Sequence, residues 1–257
     1  MKRHLKVIAN IFLTSIALSI LLGSFLRILG PINQSHRINK GINITGKSRR
    51  SVKKELLTRK SNLLSLYNDK LENFERLEKL INKWENHIIK NPGLDVSAFF
   101  ISLDDQVYAE IKSDIKLSAA SSIKVPILII LLRMLEKEEI IWNEKLILSE
   151  DVIGGGSGWM AYQEIGEIFP VYEVASEMIR VSDNTATNLL IKRLGGIKIV
   201  NQKLKEIGLN NTQINNYLPD LDGTNLTSTK DLSLAMALVD NGYLLNVSSR
   251  DIFREIM

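Results

Sequence analysis

The sequence predicts a mixed α/β (α+β) domain behind an N-terminal transmembrane helix, and three observations predict it. Residues 7–26 form a run without a charge. Residues 94–103 and 106–111 are two strand-like runs on either side of Asp104 and Asp105, the arrangement of a hairpin. Beyond Ser118, apolar residues recur at helical steps in one segment after another, with Gly and Asn at the stops. At 257 residues the chain has room for one good-sized domain and an extension. It divides into an anchor or signal segment (1–30), a basic linker (31–60) and the folded domain (61–257).

The uncharged run would span roughly 30 Å as a helix, the thickness of a bilayer's hydrocarbon. Lys2, Arg3 and Lys6 precede it and Arg27 follows. It is long for a cleavable signal, no convincing small-x-small site follows, and no Cys is available for a lipid anchor, so an uncleaved single span is expected. Residues 1–60 hold 13 Lys or Arg against the single acid Glu55, a net of +12, while the remainder carries −8. Arg37, Lys40, Lys47, Arg49 and Arg50 lie after the run, where the positive-inside rule prefers cytoplasm, so charge alone leaves the side open. The basic stretch suits a solvated linker or an anionic membrane surface. No nucleic-acid partner is expected. Residues 31–51, rich in Asn, Gly and Ser, read as a tether. Next, Leu64, Tyr67, Leu71, Phe74, Leu77, Ile81, Trp84 and Ile88 predict one amphipathic helix, packed on a sheet or forming a short coiled coil, that stops at Asn91-Pro92-Gly93.

The hairpin delivers the chain to Ser118-Ala-Ala-Ser-Ser-Ile-Lys-Val-Pro-Ile127, which opens a helix that is apolar all round and hence buried. Ser121 and Lys124 stand three residues apart on one face of its first turn, a candidate nucleophile and base. Ser-x-x-Lys also occurs at Ser51–Lys54 and Ser113–Lys116, so context must distinguish it. At a helix start, free N–H groups and the positive dipole end suit an oxyanion, although Ser121 could equally be a plain N-cap. The three His residues (His4, His36, His87) precede the body of the domain and there is no Cys, so a Cys-based zinc or iron–sulfur site is excluded and a serine nucleophile would need a lysine base. The glycine-rich stretch from Gly154 to Trp159 lacks the end of a phosphate loop and reads as a flexible crossing, with Trp159 or Tyr162 lining a cleft. Helices are predicted over 171–180, 185–194, 198–207 and 229–239. The polar break Val181-Ser182-Asp183-Asn184 separates the first two, and residues 210–228 form a loop long enough to be functional.

Ser121-x-x-Lys124 followed 61 positions later by Ser182-Asp183-Asn184 resembles the class A serine β-lactamases and their penicillin-binding relatives. The surroundings agree: Asn91-Pro92-Gly93-Leu94-Asp95 before the strands, Ala119-Ala120 before the serine, Thr185-Ala186-Thr187-Asn188-Leu189-Leu190 after the second motif, and Gly208-Leu209 with Thr212 beyond it. The resemblance implies a sheet with a helical subdomain, and acylation of Ser121 by a β-lactam or a cell-wall peptide, with Lys124 handling its proton. It further implies that Ser182 relays a proton to the departing nitrogen and that Asn184 binds Lys124 and the substrate amide, while the Ser121 N–H supplies half of the oxyanion hole. Asp183 would hold the loop, and no metal or organic cofactor would be needed; the cleft reading of Trp159 then places it beside the substrate.

In two places the chain departs from the family. Aligning Tyr217-Leu218-Pro219-Asp220 on its proline puts Leu218 where class A enzymes carry the glutamate that activates the deacylating water, leaving Asp220 or Asp222 as possible bases, or a long-lived acyl-enzyme. No Lys-Thr-Gly follows Asn184 in the 73 residues to Met257, so the resemblance implies that the last strands and helix are missing and a strand edge is open. The expected substrates place the domain on the periplasmic or extracellular side of the cytoplasmic membrane.

Overall fold

The structure, a computed structural model, describes residues 71–257. The uncharged run, the basic linker and the stripe up to residue 70 lie outside the described residues. No helix among the described residues is long and apolar enough to cross a membrane.

The stripe does not continue as a single helix. Glu75–Arg76 is a short strand, β1, and helix α1 begins only at Glu78, running to Lys90. The cause is backbone pairing: Glu75 N–H donates to Gln106 O (2.9 Å) and Leu77 N–H to Tyr108 O (2.8 Å), so the segment joins a sheet before it can coil. Strands β2 (Ala98–Ser102) and β3 (Val107–Ile111) form the expected antiparallel hairpin, with Ala98 opposite Ile111 and Ser102 opposite Val107. Their turn is tied by Ser102 Oγ donating to Asp105 Oδ2 (2.7 Å), and Gln106 takes a positive φ of 54°. β1 lies parallel on the other side of β3.

The chain then enters β4 (Leu117–Ser118), which pairs antiparallel with β7 (Leu226–Thr227). This pairing, with Ala119 N–H donating to Asn225 O (2.7 Å), fastens the long polar segment beside the candidate nucleophile. A single 3-10 turn, Ala120–Ile123, leads into helix α2 (Lys124–Glu136). Its residues from Ile127 to Leu132 are each at most 1% exposed. A helix apolar on every side can exist only if neighbours cover every side. Here five later helices pack on it: α3 (Val171–Arg180), α4 (Asn184–Arg193), α5 (Gly196–Glu206), α6 (Thr229–Asp240) and α7 (Val247–Ile256). Between α2 and α3 a small antiparallel pair, β5 (Lys145–Ile147) and β6 (Ile168–Pro170), flanks the glycine-rich stretch.

α2 is thus the core, and its first residue is the candidate base, so packing and chemistry share one element. Leu131→Ala is expected to cost about 3 kcal/mol, the usual range for a fully buried leucine. Urea unfolding of the domain checks it, and a loss under about 1 kcal/mol would contradict the central placement of this helix.

Candidate functional site

Lys124 begins α2 and is 2% exposed, whereas Ser121, one turn earlier, is open to solvent. Lys124 Nζ lies 3.2 Å from Ser121 Oγ, 2.8 Å from Ser182 Oγ, 2.8 Å from Ser182 O and 3.0 Å from Asn184 Oδ1. Ser182 Oγ–H in turn donates to Ser121 Oγ (2.9 Å). The structure therefore brings Ser121, Lys124, Ser182 and Asn184 into one cluster. The N-cap reading of Ser121 does not hold. Its hydroxyl faces the amine and Ser182, and the capping residue of α2 makes no side-chain cap. Ser122 Oγ is the hydroxyl spent on local backbone, donating to Ala119 O (2.5 Å).

Burial lowers the Lys124 pKa to about 8, partly opposed by the negative charge of Asp183. An ammonium has three protons, yet four oxygens surround this one. A neutral amine fits as well, because its lone pair can accept from a neighbouring hydroxyl. Near neutral pH the site can therefore hold or release a proton at the atom that touches Ser121.

Ser182 reaches this position through the left-handed region, at φ 58°, a conformation that costs on the order of 1 kcal/mol without glycine. Both flanking helices hold it there. α3 ends as Asp183 N–H donates to Glu177 O (3.1 Å), and α4 begins under the side chain of Asp183. The Asp183 carboxylate is fully buried; it accepts from the N–H groups of Ala186 (2.9 Å), Trp159 (2.7 Å) and Met160 (2.9 Å). A negative charge at a helix N-terminus is favourable in itself.

The glycine-rich stretch is not a loose crossing. It is a collar seated on the second motif: Asn184 Nδ2 donates to Gly155 O (2.9 Å), Asn184 N–H to Ser157 O (3.1 Å) and Gly154 N–H to Thr185 Oγ1 (2.9 Å). Glycine is required by space. A Cβ on Gly158, at φ 94°, would fall 2.0 Å from Asp183 Oδ2, and one on Gly154 would fall 2.2 Å from Leu218 O. Trp159, expected at the substrate, packs edge-on against Phe169 with ring centroids 5.9 Å apart and donates its indole N–H to Glu177 Oε2 (2.6 Å). Tyr162 is largely exposed.

In the long segment, Leu218 is buried in the core, and its backbone is latched on both sides by one side chain: Leu218 N–H donates to Asn188 Oδ1 (2.8 Å) and Asn188 Nδ2 to Leu218 O (2.6 Å). Both oxygens of Asp220 are occupied, one by Thr224 Oγ1 (2.8 Å) and the other by Asn225 N–H (2.6 Å). Burial works to raise this carboxyl, but the hydrogen bonds from Asn225 and Thr224 outweigh it and hold the pKa below the usual aspartate value. Asp222 is exposed. Sequence reasoning missed Asn188, Asn225 and the collar. The available signal was the spacing of Asn188, four positions after Asn184 and hence one turn on along the same helix face.

The family model for the beta-lactamase enzyme family matches residues 76–257. The chain belongs to that family. BRO-1, a beta-lactamase of Moraxella catarrhalis, is 29% identical over 160 residues, which cover 61% of this chain and 48% of that protein. ROB-1, a beta-lactamase of Haemophilus influenzae, is 36% identical over 83 residues, 32% of this chain and 27% of that protein. The chain spans about half or less of the length of these curated relatives. Among solved structures, PBP-A is similar with a TM-score of 0.70 at 37% identity, covering 72% of this chain and 69% of that one. A leucine-to-glutamate variant of PBP-A, solved as an acyl-enzyme complex with penicillin G, is equally similar. The mixed α/β beta-lactamase-like fold of this family is therefore shared by the described residues.

Gly158→Ala is expected to unseat the collar from Asp183 and to cost about 2 kcal/mol or more, through the strained φ and the collision together. Thermal unfolding would show it, and an unchanged melting temperature would mean that the collar does not press on Asp183.

Proposed function

We propose that this beta-lactamase-family chain carries the acylating half of a serine hydrolase acting on β-lactam amides. The observation that carries the reading is the buried Lys124 amine within hydrogen-bonding distance of both the exposed Ser121 hydroxyl and Ser182. As Ser121 Oγ attacks the ring carbonyl, its proton passes to Lys124, directly or through Ser182. The developing oxyanion is met by the Ser121 N–H, at the turn that leads into α2. The C–N bond then breaks, and Ser182 hands the proton from Lys124 to the departing nitrogen. Asn184 keeps its oxygen on Lys124 and one amide proton on Gly155 O, leaving the second amide proton for the acyl side chain. Trp159 then acts through packing. No metal or organic cofactor enters the reaction.

A second reading, a penicillin-binding protein that releases its acyl group slowly, is favoured by Leu218. A buried alkyl group cannot orient or deprotonate water, and the nearby Asp220 already has both oxygens engaged. The likeness to PBP-A is compatible with the same reading. A cell-wall peptide ending in D-Ala-D-Ala is then the alternative acyl donor. We further propose that residues 7–26 anchor the chain in the cytoplasmic membrane, with the domain on the periplasmic or extracellular side, because such substrates are found there. A reporter fused after Met257 and active only in the cytoplasm would overturn that placement.

Fluorescent penicillin is expected to label the chain and to fail with Ser121→Ala; labelling that survives this substitution refutes the assignment. The label is expected to persist. Leu218→Glu supplies a carboxylate that can activate water and should speed its loss by about tenfold or more. The acylation rate should rise with pH through about 8, because Lys124 is charged below that value and neutral above it. A rate that is flat between pH 6.5 and 9 would remove Lys124 as the base.

A further inference from the structure

Glu177 lies in the second turn of α3 and touches none of the reacting atoms, yet it grips both pieces that shape the site. Its carboxylate is enclosed, at 11% side-chain exposure, and accepts the Trp159 indole N–H at 2.6 Å. Arg180 closes the other side, with Nε 2.8 Å from Oε1 and Nη2 2.6 Å from Oε2. Its backbone carbonyl accepts the N–H of Asp183 (3.1 Å) and of Val181 (3.4 Å), so the same residue closes α3 and starts the turn that carries Ser182. Trp159 follows the collar directly, and its own N–H and that of Met160 bind Asp183. An Arg–Glu pair at i,i+3 with the arginine 63% exposed is worth little alone. The half-buried indole contact gives the pair a purpose.

We propose that Glu177 is a positioning residue for acylation: by holding Trp159 it keeps residues 154–160 seated on Asp183 and Asn184, and so keeps Asn184 aimed at Lys124. The proposal rests on the reading of Ser121 as the acylated group. The connection runs through four contacts, Glu177 to Trp159, Trp159 to Asp183, Gly155 to Asn184 and Asn184 to Lys124. With the first contact gone, the collar keeps its bonds to Asp183, Asn184 and Thr185 and the packing of Trp159 on Phe169, but loses the one hydrogen bond that fixes the indole. Asn184 can then swing its amide, and Lys124 loses an oxygen that fixes its direction. Misplacement of a catalytic group by a fraction of an ångström is enough to slow a reaction by an order of magnitude or more.

The test compares Glu177→Ala, Glu177→Gln, Trp159→Phe and the Glu177→Ala/Trp159→Phe pair in the full chain. Penicillin acylation rates are measured per folded molecule across pH, and amide hydrogen exchange is followed over residues 154–160 and 181–184. Glu177→Ala and Trp159→Phe should each slow acylation by about tenfold, shift its pH midpoint and speed exchange of the collar. The pair should be no slower than either single change, because both remove one bond. Glu177→Gln keeps an oxygen for the indole and should retain the rate within about threefold.

Acylation and collar exchange unchanged in Glu177→Ala would overturn the proposal. So would losses that add in the pair, or a melting-temperature drop with no change in rate or pH midpoint. If the unmodified protein takes no label at all, the acylation reading fails by itself, and hydrogen exchange alone then decides whether Glu177 seats the collar.

Discussion

Everything at this site depends on an amine kept out of water among oxygen atoms. Burial penalises the charged form of Lys124, while Ser182 O, Asn184 Oδ1 and two hydroxyls keep its nitrogen in place whether or not it carries a proton. The rest of the described structure serves that balance. α2 must be buried for its first residue to be buried, and five helices cover it. The turn between α3 and α4 must bend through a disfavoured conformation to present Ser182, and Asp183 must sit uncovered by water to hold that bend. The collar then excludes solvent from Asp183 and sets the rotation of Asn184.

The segment facing this cluster is stiff for a different reason. It has little regular structure between Leu209 and β7, but asparagine side chains supply the bonds a strand would otherwise make. Asn225 Oδ1 accepts from the N–H groups of Asn215 (2.7 Å) and Asn216 (3.0 Å), and its Nδ2 donates to Asn216 O (3.1 Å), closing the neck of the segment. Asn188 fixes its tip at Leu218. The amide neck itself does not titrate, whereas Asp220, which accepts from Asn225 N–H and Thr224 Oγ1, is the ionisable group that braces it. The proposed acylation would draw on groups that exchange protons, whereas this side of the site offers a buried leucine and an aspartate with both oxygens taken.

Much of this was legible because the pertinent signals are local. An apolar helix headed by Ser-x-x-Lys and a polar Ser-Asp-Asn break between two helices are visible in the order of residues, as is the Asp104-Asp105 turn. The structure departs from sequence expectation where a distant partner decides. Residues 74–77 continue a helical stripe, yet β3 captures Glu75–Arg76 among them as a strand. The glycines at 154–158 read as slack, because nothing in the sequence reveals that Asp183 and Leu218 O crowd against them. Glu177 looks like an ordinary acid on an amphipathic helix until Trp159 arrives from eighteen residues earlier. Trp159 was assigned a place by its chemistry, and its indole N–H binds a neighbour within the protein.

The contrast in access between Ser121 and Lys124 bears on covalent chemistry. The hydroxyl faces solvent, while the amine three residues on is sealed beneath it. An electrophile that needs a free amine, such as an aldehyde forming an imine, has no approach to Lys124, although this is the most nucleophilic nitrogen the cluster contains. One that transfers an acyl, boronyl or phosphonyl group to oxygen meets Ser121 first and never has to enter the interior. The fold thus makes an oxygen-selective target out of a serine and lysine pair by burying the stronger nucleophile of the two.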